Sequence, residues 1–170
     1  MNFIRCLFFL AVLSFSSFLL GRALPKHWFR YDSFLFKAVP AERGGALYHK
    51  IAIRRWKNKL PDMSVFFYRW MPSKELSKHL SAQQVKVMIE ETCVAEFIHV
   101  LLGVLGFFCV AIWQCWCGWL VSFLFFLGNL PFCLVQRYNR PKLVKLLRWL
   151  ESKEPGQDPV EQVGLAIQYE

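Results

Sequence analysis

Glu90-Glu91-Thr92-Cys93-Val94-Ala95-Glu96-Phe97-Ile98-His99 opens a stretch that closes with Gln136-Arg137-Tyr138-Asn139-Arg140-Pro141. No Lys, Arg, Asp or Glu occurs between Glu96 and Arg137, and residues 97–135 form one apolar block of 39 residues. At 1.5 Å per residue, one helix of that length would be about twice as long as a hydrocarbon core of about 30 Å. Two crossings fit, with a turn near Gln114 to Gly118; a shallow re-entrant hairpin is the alternative. Either hairpin returns to the side from which it entered. The two polar signatures that bracket it can therefore meet, and the expectation is a site at the membrane surface.

The return arm carries Gly128-Asn129-Leu130-Pro131. Pro frees a backbone carbonyl and Asn is costly in hydrocarbon, so both should face protein or water. Trp113, Trp116 and Trp119 suit the far interface, where aromatic belts form. Upstream, Ser81-Ala82-Gln83-Gln84 has the form of a capping box. A helix should start there and run through Glu90 to His99 into the membrane, since no Gly or Pro intervenes before Gly103. Downstream, Leu143, Leu146, Leu147 and Leu150 share one helical face while Lys142, Lys145 and Arg148 lie away from it. That pattern, with Pro141 at its first turn, predicts an interfacial amphipathic helix.

Outside this core the chain changes character twice. Residues 1–24 have a short basic start, an uncharged run from Cys6 to Leu20, then Gly21-Arg22-Ala23-Leu24. They fit a cleavable signal peptide and also a short uncleaved membrane helix. The uncleaved anchor is preferred, because the chain lacks the disulfide usage of an exported domain. Residues 25–90 are polar and aromatic-rich, hold 13 Lys or Arg, and contain no apolar run long enough to span. Their densest basic patch is Arg54-Arg55-Trp56-Lys57-Asn58-Lys59-Leu60-Pro61-Asp62, followed by Phe66, Phe67, Tyr68, Trp70 and Met71. It reads either as a headgroup-level surface or as a solvated basic loop. The domain organisation expected is an anchor or signal-like helix at 1–24, a membrane domain at 25–152 with its hairpin at 97–135, and a flexible tail at 153–170.

Composition agrees with this class. The chain has 170 residues, 55% of them apolar and 17% aromatic, with mean hydropathy +0.30. The net charge of +9 suits anionic headgroups. Nucleic acid is not an expected partner, because no recognition motif accompanies the charge. Five of the six cysteines sit in or beside apolar runs, where they behave as small hydrophobes. Cys115-Trp116-Cys117 lacks the two-residue spacing of zinc or redox pairs, so neither a metal nor a disulfide framework is expected. Lys and Arg bias puts 25–90 and 137–153 in the cytoplasm of a multi-pass protein of the cell (inner) membrane. The N-terminus then starts outside, and Arg5 argues against that. The fold class predicted is an all-α integral membrane protein. Its parts are an N-terminal apolar helix, a basic cytoplasmic segment, a transmembrane or re-entrant helical hairpin and a C-terminal amphipathic interfacial helix.

Three patterns carry chemistry. Thr92, Glu96 and His99 stack on one helical face, with Glu91 a quarter turn off it. A carboxylate one turn from a His can hold the ring as a general base, and ionisable groups at a membrane entry point are suspect as functional. The competing reading pairs Glu96 with Arg137 or Arg140 and leaves His99 a bystander. Glu-x-x-His also occurs in di-iron bundles, but those need the motif twice. Arg137 and Arg140 flank Tyr138-Asn139, and two guanidinium forks suit phosphate or carboxylate, though they also suit the cytoplasmic flank of a membrane helix. His27 and Asp32 have the spacing of the catalytic pair in glycerolipid acyltransferases, but the Pro-Glu-Gly type loop that accompanies it is missing, and the match is set aside. No nucleophile elbow, P-loop or dinucleotide fingerprint occurs.

Taken together, Arg55-Trp56-Lys57-Asn58-Lys59-Leu60-Pro61, Glu91-Thr92-x-x-Ala95-Glu96-x-x-His99, Asn129-Leu130-Pro131 and Gln136-Arg137-Tyr138-Asn139-Arg140-Pro141-x-Leu143 resemble the glycosyl-4,4'-diaponeurosporenoate acyltransferase family. The likeness covers roughly residues 20–150. It implies a bacterial membrane acyltransferase that esterifies a sugar hydroxyl of a glycolipid. In the family's namesake pathway the acceptor is a glycosylated carotenoid acid and the product a staphyloxanthin-type pigment. The catalytic set expected on this basis is His99, Glu96 and Glu91, with Trp56, Lys57, Asn129, Gln136, Arg137, Asn139 and Arg140 binding substrate. His99, oriented by Glu96, would deprotonate the sugar hydroxyl for attack on an acyl thioester. Asn129 or Gln136 would meet the oxyanion. Arg137, Arg140 and Lys57 would hold the phosphates of acyl-coenzyme A or acyl carrier protein. No bound cofactor is expected. The partners are membrane lipids, the lipid-linked sugar and the acyl donor, with a homo-oligomer an option. The rival readings are a non-catalytic scaffold for a lipid or carotenoid pathway and a secreted protein with a cleaved leader.

Overall fold

The computed structural model describes residues 1–37, 42, 46–57 and 81–152. The basic stretch beyond Lys57, the aromatic run 66–71 and the tail expected at 153–170 lie outside the described residues. Within them the chain is helical and has no strand. Helix α1 spans Asn2–Ala23 and is followed by a 3-10 turn at Lys26–Trp28. Two short helices, α2 (Ala46–Lys50) and α3 (Ile53–Trp56), precede the hairpin. Helix α4 spans Ala82–Leu105 and tightens through a 3-10 turn at Gly106–Phe108 into α5, Cys109–Ile112. Helix α6 returns as Trp116–Ser152. Three helical stretches are each long and apolar enough to cross a membrane: Asn2–Ala23, Ala82–Ile112 and Trp116–Ser152. The protein is thus an all-α membrane protein, as the apolar blocks predict.

The capping box forms as expected. The Gln84 backbone N–H donates to Ser81 Oγ at 3.2 Å, and the Ser81 N–H donates to Gln84 Oε1 at 2.9 Å. The far turn falls at Trp113–Cys115, between α5 and α6. Small residues let the hairpin arms close. A Cβ at Gly118 would collide with the Trp113 carbonyl oxygen, and one at Gly106 would lie 2.5 Å from the Phe125 ring. Ser122, fully buried, sets its hydroxyl 2.8 Å from the Gly118 carbonyl oxygen and 3.2 Å from that of Gly106. Small side chains and a shared hydroxyl are how helices associate where lipid is as apolar as Leu. Trp116, Trp119, Leu120, Phe123, Leu124, Leu127 and Leu130 remain exposed along α6, as a lipid-facing side requires.

Helix α1 runs antiparallel to α4. Its start meets the far end, where Cys6 and Leu10 pack with Cys109, and its end meets the near end, where Gly21 approaches Ile98. The described residues between 26 and 57 therefore join the near end, alongside the start of α4 and the last turns of α6.

Two expectations for α6 need correction. The helix runs unbroken through Pro131 and Pro141, so among the described residues the segment after Pro141 is not a separate interfacial helix. Its Leu face is not on lipid either: Leu147 is buried against Val85 and Ile89, with Leu143, Leu146 and Leu150 around them. The physical reason is local supply. The first turns of α4 project beyond the apolar block and offer an apolar partner along the same axis. A protein surface already in register removes more apolar area from water than a headgroup layer would.

Candidate active site

The near end of the hairpin holds a buried ion cluster. Arg140 is 4% exposed and every arm of its guanidinium is used. Its Nε donates to Thr92 Oγ1 at 3.0 Å and its Nη1 to the Phe36 carbonyl at 2.9 Å. Its Nη2 donates to the Thr92 carbonyl at 3.1 Å and to Glu96 Oε2 at 2.5 Å. Arg137 lies one turn earlier on α6. Its Nε sits 3.1 Å from Glu42 Oε1 and 3.3 Å from Glu96 Oε1, with the N–H aimed squarely at neither. Its Nη2 reaches the carbonyls of Leu35 and Lys37 at 3.5 and 3.4 Å. Two guanidiniums thus face two carboxylates, and each charge is compensated as burial demands. The cluster ties the backbone of residues 35–37 and the Glu42 side chain across the mouth of the hairpin.

Tyr48 closes the cluster from α2. Its ring packs edge-on against Tyr138 at 5.3 Å, and its hydroxyl is buried with no well-formed hydrogen bond among the described residues. Burial pushes the phenol well above its ordinary value of 10.0, and the Glu42 carboxylate adds to the shift.

His99 lies one turn deeper along α4 than Glu96. Its Nδ1 is 3.0 Å from Asn129 Oδ1. Asn129 Nδ2 donates to the Phe125 carbonyl at 2.9 Å, which identifies the oxygen as the end facing the imidazole. An oxygen can only accept, so Nδ1 carries the proton and Nε2 keeps a free lone pair. The Phe132 ring stacks on the imidazole at 4.6 Å and 12° and fixes its plane. Asn129, Phe132 and Gln136 recur at helical spacing, so Gln136 shares the face of α6 that holds and stacks on the ring.

This geometry redistributes the residues expected to form the site. Glu96 does not orient His99; it is committed to Arg140 and Arg137. A buried carboxylate gains more from two guanidiniums than from a neutral ring, and that preference decides the partner. Glu91 pairs with Lys26 at 2.5 Å on the half-exposed rim and is not part of the cluster. Arg140 commits four of its five N–H groups inside the cluster. Trp56 donates its indole N–H to the Ile51 carbonyl at 2.9 Å and packs beneath Tyr138. Lys57 sits over the Tyr138 ring at 4.9 Å. Asn129 turns its Oδ1 to His99 and donates from Nδ2 to the Phe125 carbonyl. Gln136 and Asn139 have side chains half-buried and without a hydrogen-bond partner among the described residues. Asp32, set aside with His27, pairs with Arg30 at 2.7 Å, which holds its carboxyl below the usual range. Among the described residues no three His, Cys, Asp or Glu side chains gather as a metal site. Glu42, Tyr48 and the Phe36 carbonyl escaped the sequence reading. They lie 90 to 104 residues from their partners in the chain, and no local spacing signals such contacts.

A tautomer-locked imidazole beneath a neutralised ion cluster, at one end of three membrane-length helices, is the layout of a small membrane-embedded enzyme. Residues 25–149 match the family model for glycosyl-4,4'-diaponeurosporenoate acyltransferase, so the chain belongs to that acyltransferase family. Proteins of that name from Staphylococcus aureus are similar along most of their length. The one from strain Newman is 30% identical over 140 residues, covering 82% of this chain and 84% of the relative. Those from strains bovine RF122 / ET3-1 and N315 are 29% identical over the same shares. No solved structure matches the chain. Family membership makes the chain an acyltransferase and removes the non-catalytic scaffold as a rival.

Proposed function

We propose that the protein moves a fatty acyl chain from an acyl thioester to a sugar hydroxyl of a glycolipid, such as a glycosylated carotenoid acid. The single observation that carries this reading is the Asn129–His99 pair, which leaves Nε2 of a shielded imidazole as a ready base. The name of the relatives supplies the acceptor class.

His99 Nε2 takes the proton of the sugar hydroxyl as its oxygen attacks the thioester carbon. The carbon–sulfur bond of the resulting tetrahedral intermediate then breaks. The thiolate leaves with the proton returned by His99, so the products are an ester and a free thiol. Gln136, one turn above Phe132, supplies an amide donor for the oxyanion. Arg137 is the second candidate donor, since its contacts of 3.1 to 3.5 Å are looser than those of Arg140 and can be remade around a ligand. Glu96 is a positioning residue that holds both arginines. The site faces the cytoplasm of the cell (inner) membrane, because the described near end carries the basic segments. Helix α1 stays attached, because its removal would uncover Cys109, Ile98 and Val94.

The test is mass spectrometry of total lipids from cells making a glycosylated carotenoid acid, with and without the protein and with His99→Ala. A glycolipid should gain one fatty-acyl mass only with the intact protein. Acylation that persists at full level with inserted His99→Ala would remove the imidazole from the mechanism.

A further inference from the structure

The ion cluster consumes Arg140, so an anionic group on a donor must be met elsewhere. A second set of cations converges on Tyr138. Lys57 Nζ lies 4.9 Å and Lys142 Nζ 4.7 Å from its ring centroid. Arg54 Nε donates to the phenol oxygen at 3.3 Å. The two ammoniums are therefore no more than roughly 10 Å apart, close to a Debye length in physiological salt, and repel each other. None of the three has a carboxylate partner among the described residues. Nearby cations differ: Lys26 pairs with Glu91, Arg30 with Asp32, and Arg137 with Glu42 and Glu96. Arg54 and Lys142 are exposed while Tyr138 is buried. The three cations thus gather around a fixed aromatic base, two exposed and Lys57 half-buried, with like charges and no carboxylate counter-ion among the described residues.

We infer that Arg54, Lys57 and Lys142 form a binding site for a phosphate-bearing ligand, seated over Tyr138 at the cytoplasmic mouth. The inference rests on the acyltransferase reading only for the identity of that ligand. A phosphate offers three or four acceptor oxygens to one guanidinium and two ammoniums, which is the complement of this arrangement. Two sources share that chemistry: the phosphates of a coenzyme A donor, and the phosphate of an anionic lipid headgroup. The π face of Tyr138 holds the ammoniums in place when the ligand has left.

The full-length protein in nanodiscs decides between them. In phosphatidylcholine discs, coenzyme A is titrated by calorimetry against wild type, Arg54→Gln, Lys142→Gln and the pair. Each single change should weaken binding roughly tenfold, the scale of one charge-assisted contact, and the pair by more. Arg148→Gln, an exposed cation further along α6, should leave it unchanged. In a second arm, native mass spectrometry counts phosphatidylglycerol retained after release from the membrane. If only this arm responds to the substitutions, the phosphate is a lipid's; if only the first, it is the donor's. If neither responds, the site is overturned. Tyr138→Phe, which keeps the packing and frees Arg54, gives a further check: it should weaken whichever ligand binds. The readout is binding, so loss of acyl transfer in His99→Ala with phosphate binding intact separates failure of one reading from failure of the other.

Discussion

Arg140 offers the sharpest test of what the ion cluster does. Its guanidinium serves Thr92 Oγ1, the Thr92 and Phe36 carbonyls and Glu96 at once. In Arg140→Lys an ammonium has three donors, no fork and a different reach, so at least one buried acceptor is stranded and the Glu96 pair weakens. A stranded buried acceptor costs about 1–3 kcal/mol, which puts the change at about 2–4 kcal/mol in all. Arg140→Leu should cost about 3–5 kcal/mol, the range for removing one partner of a buried ion pair. Arg137, still 3.3 Å from Glu96, holds it from rising further. For a chain of this length 2–4 kcal/mol lowers the unfolding midpoint by roughly 5–15 °C. The assay is thermal unfolding in nanodiscs followed by tryptophan fluorescence. The double change Arg140→Leu with Glu96→Leu should recover part of the loss, because no charge is then left unpaired. The opposite pattern, an unchanged midpoint in Arg140→Lys with donor binding lost, would refute the structural role and restore Arg140 to the ligand.

Three further outcomes are expected. Asn129→Ala should leave the protein folded but cut kcat by about ten- to a hundredfold at similar KM, since a misoriented base is a loss of positioning; unchanged kcat would release Asn129 from that role. Leu147→Ala should destabilise by about 2–4 kcal/mol, as a buried large-to-small change does; an unchanged midpoint would mean that this face of α6 lies on lipid after all. For Tyr48 the folded phenol titrates above the unfolded value of 10.0. Its stability contribution is therefore complete below pH 10 and declines as pH rises beyond it, because the unfolded chain gains by ionising. Thermal midpoints between pH 8 and 11 should fall more steeply for the wild type than for Tyr48→Phe, and parallel curves would count against the buried phenol.

Much of this architecture was legible in the chain itself. An apolar block of 39 residues admits two crossings and one turn whatever its neighbours do, because bilayer thickness is an external ruler. The start of α4 was equally plain, since Ser81 and Gln84 satisfy each other's backbone donors within a single turn. That the polar signatures at Glu96, His99, Asn129, Arg137 and Arg140 would meet followed from a hairpin's return to its own side. Which of them would touch did not follow. Glu96 and His99 are three residues apart on one helix, so spacing offered them to each other. The folded protein instead brought two guanidiniums to Glu96 and an amide to His99 from α6, and buried ion pairing outweighs a neighbour on the same helix. Likewise, the Leu face beyond Pro141 had the pattern of a membrane-surface helix until Val85 and Ile89 were found beside it. Periodicity states that a face must be covered. The choice between lipid and protein, and between one charged partner and another, is a comparison of energies across the chain, and only the tertiary structure supplies both sides of it.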